Sequence, residues 1–249
     1  MALDKLDNLA DGHSLSRARA MPQQPNEPAW KLVLRAVFRF AFVFSVLFGC
    51  AGRLDWFRGW IFVALTVITI VFTIPVFQRE NPRILRTRLQ KTEGAEPSDK
   101  VLYVILMSAV VSCLAVAGLD ARFGWSSLTF EWTYLGVLLF VAGYIPVGLA
   151  MAANPFIERT VRIQEERGHV TVTSGPYQVV RHPMYAGLLL ATAGWPLLLG
   201  SIWSYLPFAL IAVTLIVRTV LEDRTLRREL AGYEDYAMRT RYLLVPGIW

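Results

Sequence analysis

Apolar positions gather into six long runs, separated by stretches rich in charge, Pro and Gly. The runs cover roughly 33–52, 58–77, 101–118, 132–153, 184–200 and 203–221. Each approaches the ~20 residues a helix needs to cross a bilayer. The last two are short and joined by only a few residues, Gly200 to Trp203, which predicts a tight helical hairpin. Pro196 and Pro207 are placed to kink or start helices near that turn. The pattern predicts an all-α polytopic membrane protein of about six transmembrane helices with a C-terminal hairpin. Beyond the sixth run, TLRRELAGYEDYAMRTRY reads as a cytoplasmic amphipathic helix that lies on the membrane or covers a site. Residues 1–30 lack an apolar core of signal-peptide type and read as a loosely ordered polar tail. Residues 31–100 read as two helices and a loop, and 101–249 as the functional core.

Composition agrees with this reading. Of 249 residues, 55% are hydrophobic and 18% charged, and the mean hydropathy is +0.43. Soluble domains carry about a quarter charged residues. The net charge of +6 does not point to nucleic acid, because the basic residues stand in blocks between apolar runs. One block is Arg79, Arg83, Arg86, Arg88, Lys91 and Lys100; a second is Arg159, Arg162, Arg167 and Arg181; a third follows the sixth run from Arg224 to Arg241. Alternate connections are poor in Lys and Arg. Since such residues favour the cytoplasmic side, six spans put all three blocks and both termini there. A five-span arrangement would leave the basic N-terminal flank outside. Arg39, inside the first run, reads as snorkelling to the interface. A bacterial inner membrane is the expected location. Cys50 and Cys113 sit inside apolar runs and build no disulfide framework. His13, His169 and His182 are too scattered for a metal cluster, and no metal is expected.

Chemistry concentrates between the fourth and fifth runs. The connection 154–183 is long, and long connections in compact proteins are commonly functional. It ends in Gly175-Pro176-Tyr177 and Arg181-His182-Pro183, with Pro183 suited to the first position of a helix. The hairpin returns the chain to the side it left, so RHPMY and Glu222-Asp223 are expected to meet at the cytoplasmic interface. Arg218 and Glu222 are four apart and share one helix face.

Gly175-Pro176-Tyr177, Arg181-His182-Pro183 and Tyr185, followed by Glu222-Asp223, resemble the isoprenylcysteine carboxyl methyltransferase family. That superfamily also holds phospholipid N-methyltransferases and small-thiol methyltransferases. The tail Gly232-Tyr233, Tyr236, Arg239 and Arg241 to Pro246 resembles the family's ending. The likeness covers roughly 101–249. The acidic pair is Glu-Asp where the eukaryotic pattern is Glu-Glu, which shortens one arm.

The resemblance implies S-adenosylmethionine as methyl donor in a cytoplasm-facing pocket, and a lipid or small hydrophobic acceptor with a carboxylate, amine or thiol. Gly175, Pro176, Tyr177, Arg181, His182, Pro183, Tyr185, Glu222 and Asp223 are then the cofactor-binding candidates, with Arg181, His182 and Glu222 the catalytic ones. Glu222 suits the cofactor's hydroxyls or amino group, and Arg181 or His182 its carboxylate. Tyr177 and Tyr185 suit the adenine or, face-on, the sulfonium. Two other readings compete: a nicotinamide-dependent membrane reductase with a similar hairpin, and a non-enzymatic membrane protein. The first lacks a G-x-G-x-x-G turn; the second has few mid-membrane charges to support an ion path.

Overall fold

The computed structural model describes residues 29–80, 97–157, 163–164 and 168–249. The tail 1–28, most of the first basic block and part of the second lie outside the described residues, and with them those expectations. Among the described residues seven α-helices follow in order: α1 (Ala29–Ala51), α2 (Phe57–Glu80), α3 (Pro97–Phe123), α4 (Glu131–Ala153), α5 (Pro183–Leu199), α6 (Tyr205–Glu229) and α7 (Tyr233–Arg239). A 3-10 turn, Gly175–Gln178, precedes α5. Leu34–Ala51, Asp99–Phe123, Glu131–Ala153 and Tyr205–Glu229 are long and apolar enough to cross a membrane, while Phe57–Thr73 and Pro183–Leu199 are shorter apolar helices. The protein is an all-helical polytopic membrane protein.

Glycine sets the closest packing. Gly136 and Gly143 of α4 face Gly194 and Gly187 of α5 so tightly that a Cβ at Gly194 would stand 2.7 Å from the Gly136 carbonyl oxygen. The order of these contacts makes α4 and α5 antiparallel. Small residues let backbones approach where both lipid and protein are apolar, so packing drives the association. α1 packs parallel to α3, with Gly118 against Leu47 and Cys50, and α3 runs antiparallel to α6. Leu47, Phe62, Phe140, Trp195, Leu198 and Ile211 form the common core.

The hairpin of α5 and α6 turns as expected. Gly200 ends α5 at φ +77°, a conformation a Cβ would strain. Arg58 of α2 lies against Gly200 and donates to the carbonyls of Leu128 and Thr129, both at 2.8 Å. At this end Asp120 is 2% exposed and accepts from Ser126 N at 2.7 Å, Ser126 Oγ at 2.5 Å and Ser201 Oγ at 2.6 Å. These bonds allow α3 to reach Phe123, well past the apolar run that ends near 118.

The stretch expected to form one C-terminal amphipathic helix is divided. Arg224 to Glu229 continue α6. Gly232, at φ +76°, breaks the path, and α7 starts at Tyr233. The break folds α7 back over the cytoplasm-expected end of α5 and α6, so its tyrosines are buried there.

Candidate functional site

At that end an open cleft lies between the 3-10 turn, the start of α5, the end of α6 and α7. Its wall is mixed. Tyr177, His182, Tyr185, Arg218, Glu222, Tyr233 and Tyr236 supply polar groups. Ile157, Pro183, Met184, Leu226 and Leu230 supply apolar surface.

The two halves of the motif meet. Pro183 opens α5, and with no N–H of its own it removes one donor that would be orphaned there. Two residues along, the Tyr185 hydroxyl donates to Glu222 Oε2 of α6 at 2.7 Å. Tyr185 also lies parallel to His182, with ring centroids 6.0 Å apart. Glu222 thus lines the cleft with one neutral donor holding one of its oxygens.

Its neighbour Asp223 faces elsewhere. Arg181 Nε and Arg227 Nε each donate to it at 2.9 Å, and the Tyr233 hydroxyl donates at 3.0 Å. His182 Nε2 stands 3.4 Å away. Asp223 is not among the cleft-lining residues, nor are Gly175 and Pro176. Gly175 instead supplies φ +60° for the turn, which swings Tyr177 inward. The Tyr177 hydroxyl accepts from Asn154 Nδ2 at 3.2 Å, and its carbonyl accepts from the Tyr236 hydroxyl at 2.7 Å.

Arg181 reaches the lining, yet its guanidinium is deeply engaged. Besides Asp223, Nη1 donates to the carbonyls of Ala237, Thr240 and Arg241 at 3.3, 3.0 and 3.0 Å. The Arg181 and His182 amides donate to the carbonyls of Tyr242 and Leu243 at 2.9 and 3.0 Å. One arginine therefore ties α5, α6, α7 and the C-terminal strip together.

Several lining residues escaped the sequence reading. Tyr233 and Tyr236 belong to the tail motif but carried no site assignment; their spacing of three on a helix was the available signal. Burial, with the Asp223 carboxylate adjacent, pushes the Tyr233 phenol well above its ordinary range. Burial pushes the Tyr236 phenol up to about 12. Both are therefore neutral donors at cellular pH. Asn154 ends α4 and had no signal beyond its place at the end of an apolar run. Arg218 was read only as sharing a helix face with Glu222. It is 4% exposed, lines the cleft, and holds Asp99 of α3 at 2.8 Å.

Comparison with known proteins adds to the geometry. The model of the phospholipid methyltransferase family matches residues 132–231. A probable protein-S-isoprenylcysteine O-methyltransferase from rice (Oryza sativa subsp. indica) is 27% identical over 43% of this chain and 58% of its own length. The protein-S-isoprenylcysteine O-methyltransferase of Schizosaccharomyces pombe is 29% identical over 41% of this chain and 42% of its own. The cobalt-zinc-cadmium resistance protein CzcN of Cupriavidus metallidurans is 30% identical over 45% of this chain and 51% of its own. The chain thus spans between two-fifths and three-fifths of the length of these relatives.

Proposed function

Since the chain is isoprenylcysteine carboxyl methyltransferase-like over its C-terminal part, we propose that it is an integral membrane methyltransferase that uses S-adenosylmethionine. The acceptor is a lipid or small hydrophobic molecule with a carboxylate, amine or thiol, held at the cytoplasmic interface. The carrying observation is the Tyr185–Glu222 pair at 2.7 Å on the wall of a cleft lined by both polar and apolar groups. A polar donor arrives from the cytosol and an apolar acceptor from the bilayer, and such a wall serves both.

The donor set fits the cofactor. Glu222 lines the cleft as a carboxylate suited to an ammonium or to ribose hydroxyls. Tyrosine rings from three elements, Tyr177, Tyr185 and Tyr233, offer π faces to a cation or an adenine. When bound, the cofactor supplies an electrophilic methyl group on a sulfonium. The protein's work is to orient, to exclude water and to keep the acceptor's attacking atom in line. Tyr185 holds Glu222 in its rotamer. Arg181 and Asp223 act as positioning residues, fixing the start of α5 against α6 and α7. His182, between Asp223 and the Tyr185 ring, lines the cleft and would contact the bound molecule there. A carboxylate or thiolate acceptor needs no base at the moment of transfer; an ammonium acceptor must first lose a proton, and His182 or Glu222 is in place to take it.

Six spans in a bacterial inner membrane, with both described ends cytoplasmic, complete the proposal. α2 and α5 count as spans despite their shorter apolar lengths. The antiparallel pairs α4–α5 and α3–α6 and the basic blocks support that arrangement. Residues 101–249 hold the catalytic core.

Titration calorimetry of the detergent-purified chain with S-adenosylhomocysteine, beside NADPH, tests the reading. Saturable binding of the former is expected. Binding of NADPH alone would move the protein to the reductases, and binding of neither would revive the non-enzymatic reading.

A further inference from the structure

The Arg218–Asp99 pair joins the site to a helix that lies ahead of the residues the family model matches. Asp99 lies in the first turn of α3, ahead of the matched residues 132–231. The pair is deeply buried: Arg218 is 4% and Asp99 7% exposed, with Nη1 and Oδ1 2.8 Å apart. Nη1 also lies 3.5 Å from the Asp99 carbonyl oxygen. A buried ion pair at the edge of a membrane core is a poor way to gain stability, since desolvation offsets most of the attraction. Its position suggests another use.

Arg218 precedes Glu222 by four residues on α6, and both line the cleft. Side chains at this spacing meet, and an arginine and a glutamate there pair by default. Arg218 also hydrogen-bonds the Tyr185 side chain and stands within electrostatic reach of Glu222, so its link to Asp99 keeps it from closing fully onto that carboxylate. A guanidinium turned fully onto Glu222 would take the carboxylate that a ligand cation needs. Asp99 pulls Arg218 toward α3, while Tyr185 holds Glu222 from the α5 side.

We propose that Asp99 is a positioning residue that draws Arg218 off Glu222 and so keeps the Glu222 carboxylate available to the cofactor. The inference rests on the methyltransferase reading. It makes α3 a working part of the site. Asp99 touches no ligand and acts only through Arg218.

The test is calorimetry with S-adenosylhomocysteine on the full chain and on Asp99→Asn, Asp99→Glu and the double variant Asp99→Asn/Arg218→Met. Thermal unfolding of each variant is recorded alongside. Asp99→Asn is expected to bind about tenfold more weakly, the equivalent of one charge-assisted hydrogen bond lost to an internal competitor. Asp99→Glu, which keeps the charge, should stay within about threefold of the parent. The double variant should recover most of the affinity lost in Asp99→Asn, because the competing cation is gone. A merely structural pair predicts that affinity falls and recovers only in step with thermal stability, because removing both members relieves the uncompensated charge; the positioning role predicts that affinity moves in variants whose unfolding temperature does not. Unchanged affinity in Asp99→Asn, or no recovery in the double variant, overturns the proposal while leaving the methyltransferase reading intact. Absence of binding by the parent chain overturns both.

Discussion

Buried carboxylates close both ends of the helix bundle, and they differ in what they accept. At the end formed by the α5–α6 turn, Asp120 takes three neutral donors from Ser126 and Ser201. Ser204, fully buried beside it, donates to the Cys113 carbonyl at 3.1 Å and lies 3.1 Å from Ser201 Oγ. This network is short-range and self-contained. At the other end Asp223 and Glu222 divide the labour. Asp223 accepts from two arginines and a tyrosine, while Glu222 holds one tyrosine and lines a cleft. A carboxylate with all its lone pairs used ties helices together. One with capacity left on a cavity wall can meet a ligand.

The comparison breaks most visibly at Arg181. Replacing it by Met removes the donor to Asp223 and to three carbonyls at once, and leaves a buried charge without that partner. Breaking such a pair costs about 3–5 kcal/mol. Thermal unfolding in detergent should show the largest drop of any variant considered. A small drop would mean that the C-terminal strip is held by its backbone bonds and apolar contacts alone.

Asp120→Ala should come next. It leaves the hydroxyls of Ser126 and Ser201 and the Ser126 amide without this acceptor, at about 1–3 kcal/mol for each group that water cannot reach. Stability should fall, while the affinity for S-adenosylhomocysteine of the folded fraction stays at the parent value. A loss of affinity would show that the two ends are coupled through α5 and α6, and that the distinction between them is false.

Glu222→Gln sharpens the contrast from the other side. Glutamine keeps an oxygen to accept the Tyr185 proton, so stability should move by less than about 0.5 kcal/mol. Affinity should drop about tenfold, because a charge-assisted bond to the ligand becomes a neutral one. Equal losses of stability and affinity would make Glu222 a second Asp223.

Sequence patterns revealed this division only in part. The apolar runs located the helices, with the largest miss at the C-terminal end of α6, which runs on to Glu229, because bilayer length and hydropathy constrain the apolar part directly and not its polar extension. The meeting of RHPMY with Glu222-Asp223 followed from the hairpin returning the chain to one side. Which acid faces the cleft did not follow. Adjacent residues on a helix point about 100° apart, and the sequence carries no mark of which direction the cleft takes. Asp120 stood just past the apolar run that ends near 118 and drew no reading, since its partner Ser201 is 81 residues away. The break at Gly232 was hidden because polar residues at helical spacing continue on both sides of it. Asp99 was invisible for a different reason: its partner is 119 residues away, and no pattern within either segment links the two.

The smallest expected effect belongs to Tyr185→Phe. The ring remains, and with it the parallel contact to His182 at 6.0 Å between centroids. Only the hydroxyl bonded to Glu222 is lost. A neutral hydrogen bond is worth about 0.5–1.5 kcal/mol net, and here it restrains a carboxylate rather than touching the ligand's charge. Affinity for S-adenosylhomocysteine should fall about threefold, by ~0.7 kcal/mol. Combining Tyr185→Phe with Glu222→Gln should then cost little more than Glu222→Gln alone, because the tyrosine works through the carboxylate. Fully additive losses would instead place the Tyr185 hydroxyl on the ligand itself.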